Sequence, residues 1–203
     1  MSPAVRRRRS GSTNSRKASC RCLVSVNGHI AAAFDKNLFI YSLEYTTGST
    51  PHLKKRAGYP LQTAIVDMTV EGNEIILADM IKSIHVLEYK RNDPKHPGKD
   101  ILTEVARHFQ TLWSTAVGLV GPKTYLVSDA EGNLLVLVRN TEGVTVVDRQ
   151  KLQPISEFQL GETVNCIRAI DVKPSPTAIV HPRAFIATVS TNLSPALHFR
   201  MAD

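Results

Sequence analysis

The 203-residue chain is poor in the residues that usually announce chemistry. It has one tryptophan, three cysteines and only 6% aromatic residues. Cys20, Cys22 and Cys166 form an odd set without metal spacing, which excludes a disulfide framework and fits a reducing compartment. No apolar run approaches the roughly 20 residues of a membrane span, and the N-terminus lacks the apolar stretch of a secretory signal. There is no phosphate-cradling glycine loop, no Gly-x-Ser-x-Gly elbow, no His-Glu-x-x-His and no Cys-x-x-Cys pair, so neither an enzyme nor a bound cofactor or metal is expected. The seven histidines are scattered. His85 and His108 have no second ligand at metal spacing and read as surface or satisfied side chains.

Acidic residues are missing altogether from residues 1–21, which hold Arg6, Arg7, Arg8, Arg9, Arg16, Lys17 and Arg21. These seven account for the whole net charge of +7, because the remaining 18 basic residues face 18 acidic ones. An Arg/Ser-rich segment with almost no apolar residues cannot bury enough surface to order itself, so residues 1–21 are expected as a disordered basic tail. Arg6 to Arg9 are its candidate nuclear-import signal, against the plainer reading of a solvated extension.

What is present is a repeat. Glu74 to Tyr89 (EIILADMIKSIHVLEY) returns without a gap as Thr124 to Arg139 (TYLVSDAEGNLLVLVR) when Asp79 is set on Asp129. A fainter copy is Ile30 to Leu43, with Asp35 at the aspartate position and a turn two residues shorter; a fourth begins at Ala184 to Leu193, with Thr188 replacing the aspartate. The apolar runs are too short for helices and rich in Ile, Leu, Val and Tyr, as strands are, so each unit reads as a hairpin. The aspartates are expected to accept hydrogen bonds from turn amides rather than to catalyse. Spacings of 44, 50 and 59 residues leave room for two more strands per unit, the period of a β-propeller blade. The fold class is therefore all-β: a partial β-propeller of about three to four blades over residues 22–190, short of the four to eight that typically close a ring. Residues 191–203 form a divergent tail in which Pro195 would break a central strand.

Between the hairpins, Thr46 to Pro60 with Lys54, Lys55 and Arg56 reads as a solvated loop, and Lys90 to Asp100 as a polar inter-blade loop. Asn140 to Gln150 reads as a loop holding a short strand, Val144 to Val147. Pro174, Pro176 and Pro182 mark a surface loop. Trp113 is either an inter-blade filler or a rim aromatic for binding, with Arg107 beside it.

The Ile-Leu-Ala-Asp-x-x-x-Ser-Ile hairpin, Glu104 to Val117 (EVARHFQTLWSTAV) and Asp148 to Asn165 (DRQKLQPISEFQLGETVN) resemble the C-terminal propeller region of one family. Its members are the large subunits of the UV-damaged-DNA-binding protein and of the cleavage and polyadenylation specificity factor, and a subunit of splicing factor 3b. The resemblance covers about residues 23–190. It implies a nuclear, non-enzymatic scaffold whose partners are substrate-receptor proteins of a cullin-4 ubiquitin ligase. Carried over position by position, it implies a partner-binding surface made of Lys82, which stands for an arginine, with Arg107, Trp113 and Asn165. The alternative is a nucleic-acid-binding propeller of an RNA-processing factor.

Salt dependence separates the two. With residues 1–21 removed, a scaffold with a neutral body should bind duplex DNA or RNA weakly and with little change between two salt concentrations, whereas a nucleic-acid-binding body should keep a clear salt slope in the same binding assay.

Overall fold

A computed structural model describes residues 19–45, 50–95, 98–170 and 182–189. Arg6 to Arg9 and most of the basic tail, the segment 191–203, Pro174 and Pro176 lie outside the described residues.

The described residues form fourteen strands in four sheets. Strands β1 (Cys20–Val26), β2 (His29–Phe34), β3 (Asn37–Glu44) and β4 (His52–Pro60) make the first; β5 (Ile65–Glu71), β6 (Glu74–Asp79), β7 (Ser83–Lys90) and β8 (Ile101–Arg107) the second. The third holds β9 (Ser114–Gly121), β10 (Thr124–Asp129), β11 (Asn133–Arg139) and, after a helical turn α1 (Val146–Arg149), β12 (Leu152–Gln159). β13 (Val164–Ala169) and β14 (Ala184–Thr188) pair as the last. Every sheet is an antiparallel meander in chain order, and the first strands β1, β5, β9 and β13 pack side by side. These are successive blades of a partial β-propeller.

The middle strands bury both faces, so they read as continuous apolar runs instead of alternating ones. In blade 2, Ile75, Leu77, Leu87 and Tyr89 pack on Ala31, Ala33, Leu38 and Ile40 of blade 1. Their neighbours Ile76, Ala78, Ile84 and Val86 pack on Tyr125, Val127, Leu135 and Leu137 of blade 3. Leu126, Leu134 and Val136 then meet Val164, Ile167 and Ile186 of blade 4. Each fully buried aliphatic side chain is worth ~1.5–3 kcal/mol relative to exposure, whereas surface ion pairs are in general worth little. The blade interfaces therefore dominate cohesion. Space there is tight: a Cβ added to Gly118 would collide with the Ile167 side chain.

Buried polar ties supplement the apolar contacts. Arg56 Nε of blade 1 donates to Asp100 Oδ2 of blade 2 at 2.9 Å, and Tyr89 donates to the same oxygen at 2.7 Å. Glu74 bridges to blade 3 by accepting from Lys123 Nζ at 2.9 Å and Arg139 Nη1 at 2.8 Å.

Register revises the repeat. Asp79 pairs with Ile65, Asp129 with Ser114 and Thr188 with Val164, each beside a bulge in the first strand. In blade 1 the residue so paired is Phe34, with Cys20. Asp35 is thus one position late: it sits exposed in the turn at φ 53°, and the loop from Phe34 to Asn37 is one residue shorter than that from Asp79 to Ser83. Thr188 does occupy the aspartate position. The residue after it, Val189, donates to Thr163 O at 3.0 Å, as Met80 does to Ala64 O and Ala130 to Trp113 O.

Three other expectations are corrected. The segment expected as a loop at Thr46 to Pro60 holds β4, the outer edge of blade 1, whose Lys54, Lys55 and Arg56 are charged because edges are. Each has a partner: Glu44 at 3.2 Å from Lys54, the Phe39 ring 3.7 Å beneath Lys55, and Asp100 for Arg56. The strand expected at Val144 to Val147 is instead the helical turn α1, set by a capping box in which Asp148 N donates to Thr145 Oγ1 and Thr145 N to Asp148 Oδ2. Finally, β1 starts at Cys20, inside the expected tail. Cys22 is half-buried there, and burial, with Asp67 nearby, pushes its thiol up to about 11, far from a reactive thiolate.

The register has a measurable consequence. Asp79→Ala should cost ~2–3 kcal/mol in denaturant unfolding, because it strands buried donors, while Asp35→Asn, which keeps a residue type that tolerates the left-handed turn position, should stay within about 0.5 kcal/mol. Equal effects would contradict the register. A second outcome follows from Asp100: burial alone would raise its carboxyl, but hydrogen bonds from Arg56, the Asn92 amide and Tyr89 outweigh burial and hold it at about 2. A depressed folded value stabilises fully above the unfolded value of about 4 and is lost as pH falls toward 2. Thermal unfolding from pH 7 to pH 2 should therefore drop more steeply in the parent than in Asp100→Asn across that window; parallel curves would dismiss the tie.

Candidate partner-binding rim

The turn between β6 and β7 is organised by one carboxylate. Asp79 is fully buried and accepts from the Ile81 amide at 3.0 Å, the Lys82 amide at 2.8 Å, the Thr63 amide at 3.3 Å and the Thr63 hydroxyl. Burial works against its ionisation, but these four donors prevail and lower its pKa. Asp129 repeats the device with the Glu131 and Asn133 amides and Asn133 Nδ2 at 2.8–3.0 Å. The expected role of the repeated aspartate thus holds at two positions and fails at Asp35.

Turns and inter-blade linkers are laced together. Leu112 N donates to Ile81 O at 3.2 Å, and Leu160 N to Gly132 O at 2.9 Å. Gly132 needs its residue type, since it lies at φ 82° with Glu162 N only 2.9 Å from where a Cβ would be. The Leu112 bond, with His108 N donating to Ile84 O at 2.9 Å, fixes the segment 108–114 that carries Trp113. The Trp113 carbonyl is engaged by Ala130 N, yet the residue is 64% exposed. Trp113 is a rim aromatic and not an inter-blade filler.

The 80–82 turn divides two concavities. On one side is an apolar groove of about 470 Å³ lined by Val66, Met80, Ile81, Trp113 and Thr115. On the other is a polar cleft of about 350 Å³ whose walls include Lys82, His85, Glu104, Arg107, His108 and Phe109. The Arg107 guanidinium lies 4.8 Å from the Phe109 ring centroid and 3.5 Å from Glu104 Oε1, and its amide is anchored on Gln150 O at 2.9 Å. Lys82, Arg107 and Trp113 are therefore brought to one rim.

Asn165 stands apart, one blade further along. It is the bulged residue of β13 and exposed, at the register position that Val66 and Thr115 hold in β5 and β9. Sequence reasoning did not find Met80 and Ile81. Their signal was two apolar residues inside a tight turn, where the parallel copy has Ala130 and Glu131.

The two histidines depart from their expected isolation. His85 and His108 share the cleft; Nδ1 of His85 donates to Glu104 Oε2 at 2.8 Å and Nδ1 of His108 lies 2.8 Å from Ser83 Oγ. Burial, then nearby Lys151, lower the pKa of His108. Among the described residues, no group of three or more His, Cys, Asp or Glu is placed to hold a metal ion, and no helix is long and apolar enough to cross a membrane.

Comparison with known proteins agrees with this architecture. The chain is similar to DNA damage-binding protein 1 of Schizosaccharomyces pombe, 32% identical over 178 residues that make up 87% of this chain and 15% of that protein. It is 29% identical over 150 residues to DNA damage-binding protein 1 of Drosophila melanogaster, covering 74% of this chain and 12% of that protein. It is 28% identical over 152 residues to DNA damage-binding protein 1a of Arabidopsis thaliana, covering 75% and 13%. The matched stretch is thus about one seventh of the length of these relatives. Residues 12–195 match the family described as the CPSF A subunit region, which spans all four blades and the rim described above, and the chain belongs to that family.

Proposed function

We propose that this chain is a non-enzymatic interaction scaffold acting in the DNA-damage response, and that its rim docks substrate-receptor proteins of a cullin-4 ubiquitin ligase in the nucleus. Arg6 to Arg9 serve as its import signal. The DNA damage-binding names of the relatives support the process. The observation that carries the docking surface is Trp113: its backbone is held by the β10–β11 turn while its side chain borders an open apolar groove. A rigid, exposed aromatic beside an arginine is the kind of anchor that dominates protein interfaces. Asn165 extends the same surface one blade on.

The test is affinity for a cullin-4 substrate receptor measured by biolayer interferometry. Trp113→Ala should weaken binding by about thirtyfold or more, as loss of an interface hot spot of ~2 kcal/mol does. Lys82→Ala and Asn165→Ala should act more mildly. Unchanged affinity in the Trp113 variant, with the protein still folded by circular dichroism, would rule out this docking surface.

A further inference from the structure

The cleft on the Lys82 side of the turn has an unsatisfied chemistry of its own. His85 and His108 are 7% and 3% exposed, and the Nε2 atom of each is buried without a hydrogen-bond partner. A carboxylate only accepts, so His85 carries its hydrogen on Nδ1, facing Glu104, and in the neutral ring Nε2 is a bare lone pair. A buried polar atom left without a partner costs ~1–3 kcal/mol and calls for a ligand, proton or water that completes it.

The charges around His85 come from every wall. Tyr59 lies at the end of β4, Lys82 in the turn, Glu104 and Arg107 on β8, and His108 just beyond, with Lys151 acting on His108. Among the described residues, Glu104 is the only acid in the cleft. It is already engaged by His85, by the Tyr59 hydroxyl at 3.3 Å and by Arg107. Lys82 and Arg107 bring two positive charges against the single negative charge of Glu104, so the cleft keeps one positive charge in excess beside an imidazole capable of a second donor.

We propose that this cleft binds a carboxylate presented by an acidic peptide segment, and that binding protonates His85 at Nε2. The incoming carboxylate sits with Lys82 and Arg107. One proton is taken from solvent onto Nε2, which then donates to the ligand while Nδ1 continues to donate to Glu104; on release the proton returns to solvent. His85 is the acceptor of that proton because Glu104 holds the hydrogen on its Nδ1 and its Nε2 has no partner, whereas burial, then Lys151, disfavour a charge on His108. The inference rests on reading this rim as a partner surface and gives the partner a chemistry: apolar residues for the Trp113 groove, with an acidic residue next to them for the cleft.

The experiment uses fluorescein-labelled hexaglutamate and the full 203-residue chain with Arg6, Arg7, Arg8 and Arg9 replaced by serine, so that the tail does not compete. Fluorescence anisotropy at constant salt from pH 8 to pH 6 should show affinity rising by up to about tenfold per pH unit, the limit for one proton taken up. Lys82→Gln, an exposed turn position, should weaken binding several-fold at every pH, and His85→Gln should flatten the pH dependence. Binding indifferent to Lys82→Gln, or a pH slope that persists in His85→Gln, would overturn the site. Should His85→Gln fail to fold, calorimetry of the parent in two buffers of different ionisation enthalpy decides: one proton taken up supports the mechanism and none refutes it. Trp113→Ala keeps the two readings apart, since receptor binding that survives this change while the hexaglutamate slope remains refutes the docking surface and leaves the carboxylate site standing.

Discussion

Two-sided burial of the blade centres is the constraint on which everything else depends. A sheet whose middle strands are apolar on both faces has no solvent side, so it persists only between neighbours. Ile75 faces one blade and Ile76 the next. The stack imposes small residues where strands approach closely, as at Gly118 against Ile167, and pushes charge to the outer edges. The outward face of blade 1 shows what happens without a neighbour among the described residues: Phe39 meets Phe34 at a tilt and Tyr41 edge-on, with centroids 6.1 and 6.3 Å away, Lys55 covers Phe39, and that ring lies across Gly58.

Stacking sets the distance between blades, but the rim is set by backbone geometry. Each of the four first strands carries a bulge beside its pairing with the aspartate-position residue, at Arg21, Val66, Thr115 and Asn165. Bulges increase local twist and re-aim side chains at strand ends. Val66 and Thr115 are thereby delivered to the groove beside Trp113. The post-bulge residues then tie neighbouring first strands together: Cys22 Sγ lies 3.5 Å from Val66 O, and Val117 N donates to Asp67 Oδ2 at 3.1 Å. Burial raises the pKa of Asp67, and the two amides it accepts from, Val117 and Met68, only partly offset this.

The fold was legible wherever burial wrote a pattern into the residues. The hairpins around Asp79 and Asp129 could be read because their strands are apolar on both faces and their turns share a buried carboxylate. β4 was hidden because an edge strand keeps few apolar residues, here Leu53, Ala57 and Tyr59, set among charged ones; α1 was misread because Val144, Val146 and Val147 are exposed, so their β-propensity met no sheet. Asp35 misled because an aspartate suits any tight turn, and only the pairing of Phe34 shows where the repeat falls. Of the rim, Trp113 with Arg107 could be singled out by residue type as a possible binding pair, and Lys82 was reached through family resemblance. His85 and His108, 23 residues apart, could not be paired in advance, since their meeting depends on β7 and β8 lying side by side with Arg107 opposite His85.

The division of labour at the turn explains why a scaffold places its recognition there. Asp79 takes up the amides of Ile81 and Lys82, and Ile81 O is bound by the following linker, so the backbone of the turn is held without help from the side chains of Met80, Ile81 and Lys82. Those side chains are exposed and carry no duty in the core. A turn fixed by a buried carboxylate can exchange its outward residues at little cost to stability, in contrast to the methylene-by-methylene sensitivity of the blade interfaces. Apolar groove and basic cleft are then two faces of one rigid wedge, and their relative position is set by Asp79, a residue that touches neither.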